Sequence, residues 1–247
     1  MKKCVVIGSP VDHSLSPKMH NAGYQSLELD FIYEKIEVKP QDLSCFMKRV
    51  RTGEFVGISV TAPHKETVLQ FADSLSPAAA RIGAANTLFF SDGKLCAENT
   101  DWYGFVKSLQ EILGQRGLQE FDYVISGAGG VARAVIYGLN NSGVSHKQIY
   151  VRNRTEIRAK ELASEFGVNV FFAENFLKNK SVVFVNATSV PIDGVPWYAD
   201  FVYDVNYKND SIVNSEGKRM LLYQGVKQFE IFTGRTAPID SMWNVIK

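Results

Sequence analysis

Short apolar runs alternate along this chain with longer stretches of helical periodicity. Residues 3–7, Lys-Cys-Val-Val-Ile, stop at Gly8 and predict a buried strand running into a loop. After Pro17, the apolar positions Met19, Ala22 and Leu27 recur at helical intervals. They predict a helix with Ser16 as its N-cap and Pro17 at the first helical position. Residues 32–38 alternate as a second strand, and 56–60, Val-Gly-Ile-Ser-Val, form a short third one. Residues 87–90 and 94–97 flank Ser91-Asp92-Gly93, a hairpin signal because Asp-Gly favours a tight turn. Strands with helical stretches between them make the first half α/β.

A second unit begins near Trp102. Residues 122–126 predict a strand, 127–130 a glycine-rich loop, and then a helix whose Ala132, Val135, Ile136 and Leu139 form one apolar face. Strands follow at 148–151, 182–185 and 202–205, with a helix over 157–166 that stops at Gly167. This alternation is that of a doubly wound, Rossmann-like domain. Residues 220–233 read as a helix able to pack back on the first domain. The expected organisation is an α/β N-terminal domain (1–101 with 222–247) and a doubly wound domain (102–221), joined through that returning C-terminal helix.

The charge balance narrows the partners. Of 247 residues, 27 are Lys or Arg and 26 Asp or Glu, a formal charge of +1. That leaves no basic excess for a nucleic-acid backbone or an anionic membrane. No stretch approaches the ~20 apolar residues that cross a bilayer. The run after Met1-Lys2-Lys3 is too short for a signal sequence. Cys4, Cys45 and Cys96 are odd in number and far apart, without metal-ligand spacing. They read as small buried apolar residues in a reducing cytoplasm. His13, His20, His64 and His146 share no ligand spacing either, so no metal is expected.

Candidate chemistry begins at Gly127-Ala128-Gly129-Gly130-Val131-Ala132, a G-x-G-x-x-A pattern between a strand and a helix. The first glycine allows the tight turn, Gly129 lets a pyrophosphate approach the backbone, and Ala132 lets helix and strand pack closely. The helix start then offers unpaired N–H groups to the phosphates. Alone the pattern fits any tight strand-to-helix turn, and it is the context that makes it a dinucleotide signature. Past the next strand an NAD-selective fold carries an acidic residue for the ribose 2′-hydroxyl. Here stand Arg152-Asn153-Arg154-Thr155, with Arg158 one turn on. Guanidinium groups suit a 2′-phosphate that a carboxylate would repel, which favours NADP over NAD.

Four segments in the first hundred residues act together: 8–17, Gly-Ser-Pro-Val-Asp-His-Ser-Leu-Ser-Pro, with His20-Asn21; 57–65, Gly-Ile-Ser-Val-Thr-Ala-Pro-His-Lys; 82–87, Ile-Gly-Ala-Ala-Asn-Thr; and 99–104, Asn-Thr-Asp-Trp-Tyr-Gly. With the glycine loop and Asn153-Arg154-Thr155, Asn186-Ala187-Thr188-Ser189 and Met220-Leu221-Leu222-Tyr223-Gln224, they resemble, in order and spacing, the motif blocks of shikimate dehydrogenases. The resemblance covers nearly the whole chain. It implies an NADP-dependent oxidoreductase interconverting 3-dehydroshikimate and shikimate for chorismate and aromatic amino-acid synthesis, a cytoplasmic monomer or homodimer.

Carried over residue by residue, the resemblance makes Lys65 and Asp101 the acid–base pair. It places Ser14, Ser16, Thr61, Lys65, Asn86, Asp101, Tyr207 and Gln224 on the substrate. Gly127, Ala128, Gly129, Gly130, Val131, Ala132, Asn153, Arg154, Thr155, Arg158, Thr188, Ser189 and Val205 fall to the cofactor. These residue types fit the chemistry. Hydroxyls near a helix start hold a carboxylate, and amides match ring hydroxyls. A lysine held against a carboxylate can donate to a developing alkoxide, and either member can carry the proton. The chain departs from the family at Ser59, which replaces an asparagine, and at Val190-Pro191, where a Gly-Met is usual; the segment from Tyr207 to Gln224 is also short. Two other readings stand beside this one: a relative using quinate or NAD, and a nucleotide-binding sensor that has lost catalysis.

Overall fold

The computed structural model describes residues 1–173, 181–190, 192, 195–206 and 215–247. The chain forms two compact units, Met1–Thr100 with Leu221–Lys247, and Asp101–Met220.

In the first unit the strands are β1 (Lys2–Gly8), β2 (Phe31–Glu37), β3 (Gly57–Val60), a two-residue β4 (Ser74–Leu75), β5 (Thr87–Ser91) and β6 (Lys94–Glu98), all but β4 expected from the sequence. They form a mixed sheet of order β2-β1-β3-β5-β6-β4. β1 is parallel to β2 and β3, while β5 runs antiparallel to β3 and to β6. The turn of the β5–β6 hairpin has Asp92 and Gly93 both left-handed, with φ of 50° and 75°. That is the turn type whose twist matches the flanking strands. Helices α1 (Ser16–Ser26), α2 (Leu43–Arg51) and α3 (Pro77–Ile82) complete the N-terminal part. Phe46, Met47 and Val50 of α2 pack on Val5, Ile7, Ile58 and Leu88.

Two readings of this region are corrected. The chain is already helical at Leu15 (φ −85°, ψ −7°), so Ser16 is the first residue inside α1 and not its cap. The Ser14 hydroxyl accepts the Ser16 N–H at 3.3 Å. Of the three cysteines only Cys4 is buried. Cys45 is exposed because α2 turns Leu43, Phe46, Met47 and Val50 inward, and Cys96 is half-buried.

The second unit consists of α4 (Asp101–Leu113), β7 (Phe121–Ser126), α5 (Gly130–Asn141), β8 (Ile149–Arg152), α6 (Glu156–Phe166), β9 (Asn169–Val170), β10 (Ser181–Asn186) and β11 (Phe201–Asp204), all but α4 and β9 expected from the sequence. Its sheet is wholly parallel, ordered β11-β10-β7-β8-β9. The strand order reverses between β7 and β10, and open α/β sheets bind ligands outside the carboxyl ends at such a reversal. The core joins Tyr123 and Ile125 to Ala132, Val135, Ile136 and Leu139 of α5 and Leu162 and Phe166 of α6.

Helix α7 (Ser215–Thr233) starts earlier than its apolar stripe suggests. Its first turn runs so close to the chain after β11 that a Cβ on Gly217 would lie 2.8 Å from the Asn206 carbonyl oxygen. Glycine, lacking a Cβ, permits that approach. From Leu221 onward α7 belongs to the first unit, where Phe232 covers Gly57 of β3 and Phe229 packs on Gly23 of α1. A final helix, α8 (Ile239–Asn244), also lies against α1.

Candidate active site

Strand direction gathers the first unit's candidate residues at one sheet edge. The carboxyl ends of β1, β3 and β6 and the start of β5 share that edge, since β5 is antiparallel to β3 and β6. The loop after β1 meets the loop after β3: Ser9 N–H donates to the Ala62 carbonyl at 3.1 Å, and Thr61 N–H to that of Ile7 at 2.9 Å. A Cβ at Gly8 would collide with Thr61 Cγ2 and with the Ala62 oxygen, so only glycine lets the loops touch. The 9–14 loop is tied outward by Ser9 Oγ on Glu37 and by Lys35 Nζ on the Asp12 carbonyl. It delivers Ser14, half-buried, and Ser16, buried, to the start of α1.

Thr61 and Lys65 are half-buried on the loop after β3. Its His64 is a structural anchor, buried with Nε2 2.6 Å from the Val38 carbonyl. The Lys65 carbonyl accepts from Ala85 N–H at 2.7 Å, which sets the lysine beside the segment carrying Asn86. Asn86 is 2% exposed. Its Oδ1 takes the Thr100 N–H at 2.8 Å, and its Nδ2 donates to Gln224 Oε1 at 3.2 Å. The helix arriving from the far end of the sequence thus meets the N-T-D segment through one buried amide. Asp101, buried, follows directly on Thr100 at the first turn of α4. Tyr207 lies outside the described residues.

Near this edge, burial pushes the His20 imidazole down to about 3, against the opposing pull of the Gln228 amide. The ring stacks on Tyr33 at 4.3 Å and 9°. It is a neutral core group. Among the described residues no three His, Cys, Asp or Glu side chains cluster as a metal site.

The second unit gathers its candidates at the carboxyl ends of its parallel strands. Gly127 has φ +125°, and a Cβ there would lie 2.9 Å from the Ala187 carbonyl oxygen. The turn is pinned from both sides, by Gly127 N–H on Arg152 O and Ala187 N–H on Ser126 O. Gly129 is the cap of α5, in extended conformation (φ −98°, ψ −172°) with no side-chain hydrogen bond. A Cβ on it would meet nothing within 4 Å. Gly130 and Val131 open the helix, Ala128 packs on the core, and Ala132 is fully buried. A helix start facing open space is what a dinucleotide pyrophosphate requires, so the residues fit such a cofactor.

After β8, Asn153 Nδ2 donates to the Thr155 carbonyl at 3.0 Å, and Thr155 caps α6. Arg154 and Arg158 are exposed at the start of that helix. After β10, Thr188 Oγ1 donates to Asn186 Oδ1 at 2.8 Å, and Ser189 is exposed. Val205 N–H donates to the Asn186 carbonyl. Sequence patterns do not reveal what holds this loop. Asn206 Nδ2 donates to the Thr188 carbonyl at 2.8 Å and to Asp204 Oδ1 at 3.0 Å. Burial raises the Asp204 carboxyl above its usual range while the Asn206 N–H, the Asn206 amide and the Asn186 amide oppose it.

Comparison with known proteins bears on both edges. A model of the shikimate dehydrogenase substrate binding domain matches residues 6–88, and one of the shikimate 5'-dehydrogenase C-terminal domain matches 217–247. Between them, 123–199 match a model described as NADP oxidoreductase, coenzyme F420-dependent. The shikimate dehydrogenase (NADP(+)) of Desulforamulus reducens is 36% identical over 98% of this chain and 94% of its own. The chain belongs to the shikimate dehydrogenase family. A family member from Methanothermobacter thermautotrophicus is likewise 36% identical over 98% of this chain and 94% of its own. Among solved structures of the family, shikimate 5-dehydrogenase of Thermus thermophilus, in complex with NADP(H) and shikimate, superposes with a TM-score of 0.87 at 33% identity. That likeness covers 100% of this chain and 98% of the other.

Proposed function

We propose that this protein is an NADP-dependent dehydrogenase interconverting 3-dehydroshikimate and shikimate, the step that serves chorismate and aromatic amino-acid synthesis. One observation carries the reading: the chain-long likeness to relatives named for that enzyme, 36% identical over 98% of this sequence. The Thermus relative holds both ligands in its crystal structure, which supports the same pairing here.

On this reading Ser14 and Ser16 bind the substrate carboxylate. Thr61, Asn86 and Gln224 bind its ring hydroxyls, and Tyr207 adds a phenol. Gly127 to Ala132 hold the pyrophosphate, Asn153, Arg154, Thr155 and Arg158 the 2′-phosphate end, and Thr188, Ser189 and Val205 the nicotinamide end. Bound NADP supplies the hydride acceptor, and its reduced form the donor. Lys65 and Asp101 move the proton at the reacting oxygen. During reduction the ammonium stabilises the forming alkoxide and delivers a proton; during oxidation the pair takes it back. Three free cysteines, one of them exposed, support a reducing, cytoplasmic setting.

The test follows nicotinamide absorbance with shikimate and NADP, in wild type and Lys65→Ala. Wild-type turnover should fall roughly 10²–10⁴-fold in the variant, the scale of losing a general acid–base group. Unchanged turnover in Lys65→Ala removes the lysine from the chemistry. A rival substrate or cofactor is favoured by two neighbours: a Listeria monocytogenes family structure in complex with shikimate and NAD, and a Gluconobacter 5-ketofructose reductase, 27% identical with a TM-score of 0.83. Higher kcat/KM for quinate, 5-ketofructose or NAD in the same assay would select it.

A further inference from the structure

One turn beyond Gln224 on α7, a second glutamine is buried with its amide fully engaged. Gln228 is 1% exposed. Its Oε1 accepts from Ser59 Oγ at 2.8 Å, and its Nε2 donates to the Asn86 carbonyl and to Thr87 Oγ1, both at 2.9 Å. The Thr87 hydroxyl then donates to Asn86 Oδ1 at 2.8 Å.

Two backbone groups fix the sense of this chain. The Asn86 carbonyl can only accept, so the Gln228 atom facing it is nitrogen; the Thr100 N–H can only donate, so the Asn86 atom facing it is oxygen. With Gln228 donating to Thr87, the single hydroxyl proton of Thr87 is left for Asn86 Oδ1. Asn86 therefore turns its Nδ2 toward Gln224 Oε1, and Gln224 Nε2 toward the Leu221 carbonyl. Donor and acceptor order thus runs unbroken from Ser59 through Gln228, Thr87 and Asn86 to Gln224.

We propose that Gln228 is a positioning residue for substrate binding: through Thr87 it holds in place the Asn86 amide, whose sense the Thr100 N–H fixes, and with it the Asn86–Gln224 contact, while Gln228 itself, anchored by Ser59, touches no substrate. This rests on the assignment of Asn86 and Gln224 to the shikimate ring. Ser59, which stands where the family has asparagine, is on this account one end of the Ser59–Gln228 link.

The test measures KM for shikimate, KM for NADP, kcat and the melting midpoint in wild type, Thr87→Val, Gln228→Leu and the double variant. Thr87→Val keeps the β-branched shape and removes only the relaying hydroxyl. Each single variant should raise the shikimate KM about tenfold, the scale of one lost buried hydrogen bond that held the binding amide in place. The NADP KM should stay within about twofold. The double variant should be no worse than Gln228→Leu, because both break one chain. An unchanged shikimate KM in folded Thr87→Val, a parallel rise in both KM values, or additive losses would each overturn the proposal. Should Gln228→Leu fail to fold, Thr87→Val decides alone. A wild type that turns over no shikimate sinks the parent assignment and this one with it, whereas an active wild type with indifferent variants sinks this one only.

Discussion

Adding a methyl group at Gly127 or at Gly129 should separate the architecture of the nucleotide turn from its binding surface. At Gly127 the backbone sits at φ +125°, a region costing other residues about 1–3 kcal/mol. The new Cβ would also stand 2.9 Å from the Ala187 carbonyl oxygen. Neither side can retreat without loosening Gly127 N–H on Arg152 O or Ala187 N–H on Ser126 O, each worth about 1 kcal/mol net. Gly127→Ala should therefore destabilise the protein by roughly 2–4 kcal/mol and lower its melting midpoint by roughly 4–16 °C. Gly129 differs in both respects. Its extended backbone suits alanine, and its Cβ would enter open space. Gly129→Ala should keep stability within about 0.5 kcal/mol, the small cost of alanine at a helix cap. It should nevertheless weaken NADPH binding at least about tenfold, since the methyl occupies the path of the pyrophosphate. Thermal melts and fluorescence titration with NADPH measure both quantities. A Gly129→Ala protein that binds NADPH like wild type would refute the placement of the cofactor on this turn. A Gly127→Ala protein that melts like wild type would refute the steric account.

Three further outcomes follow from other sites. Replacing Arg154 and Arg158 together by serine should cut the kcat/KM preference for NADP over NAD by roughly 10–100-fold, the worth of charge-assisted bonds to a phosphate; an undiminished preference would place 2′-phosphate recognition elsewhere. Burial holds the His20 pKa at about 3 in the fold against 6.5 as its reference. On acidification the unfolded chain is protonated first, so stability should drain as pH falls from about 6.5 towards 3, by about 1.4 kcal/mol per unit. His20→Phe should flatten that slope in denaturant titrations, and an equally steep slope would assign it to other groups. Gly8→Ala, which drives a methyl into Thr61 and the Ala62 carbonyl, should raise the shikimate KM while leaving NADPH affinity alone; matched losses in both would mean a general disturbance.

How far the sequence is legible depends on the distance over which each feature is encoded. The β5–β6 hairpin is written in two residues, because Asp92-Gly93 tolerates the left-handed pair the turn needs. The switch point is written in the G-x-G-x-x-A loop and the strand before it, and both appear where expected. Errors begin where a local signal has two physical meanings. Ser16 next to Pro17 reads as a cap, but Leu15 holds the cap position one residue earlier, and the Ser14 hydroxyl accepts the Ser16 N–H. The last long helix reads as starting at Met220, but it begins at Ser215, with Gly217 at the point where α7 brushes the chain after β11. Cys45 reads as buried by type, and only the facing of α2 decides otherwise.

The candidate site divides along the same line. Its residues are legible one by one because each lies in a short motif, but the bonds that orient them are not. Ser59 and Gln228 stand 169 positions apart, and Asn86 and Gln224 stand 138 apart. No window of sequence contains both members of either pair. A polar residue four places after Gln224, on the buried side of α7, is the one local hint of the link. Burying an amide is tolerable only if its donors and acceptor are all met, so such a residue implies partners before any are known. The fold supplies them by bringing the last long helix against the carboxyl end of β3. The departure at Ser59 is thereby accounted for by a contact rather than by a gap: the shorter hydroxyl reaches a side chain that comes to it from the other end of the chain.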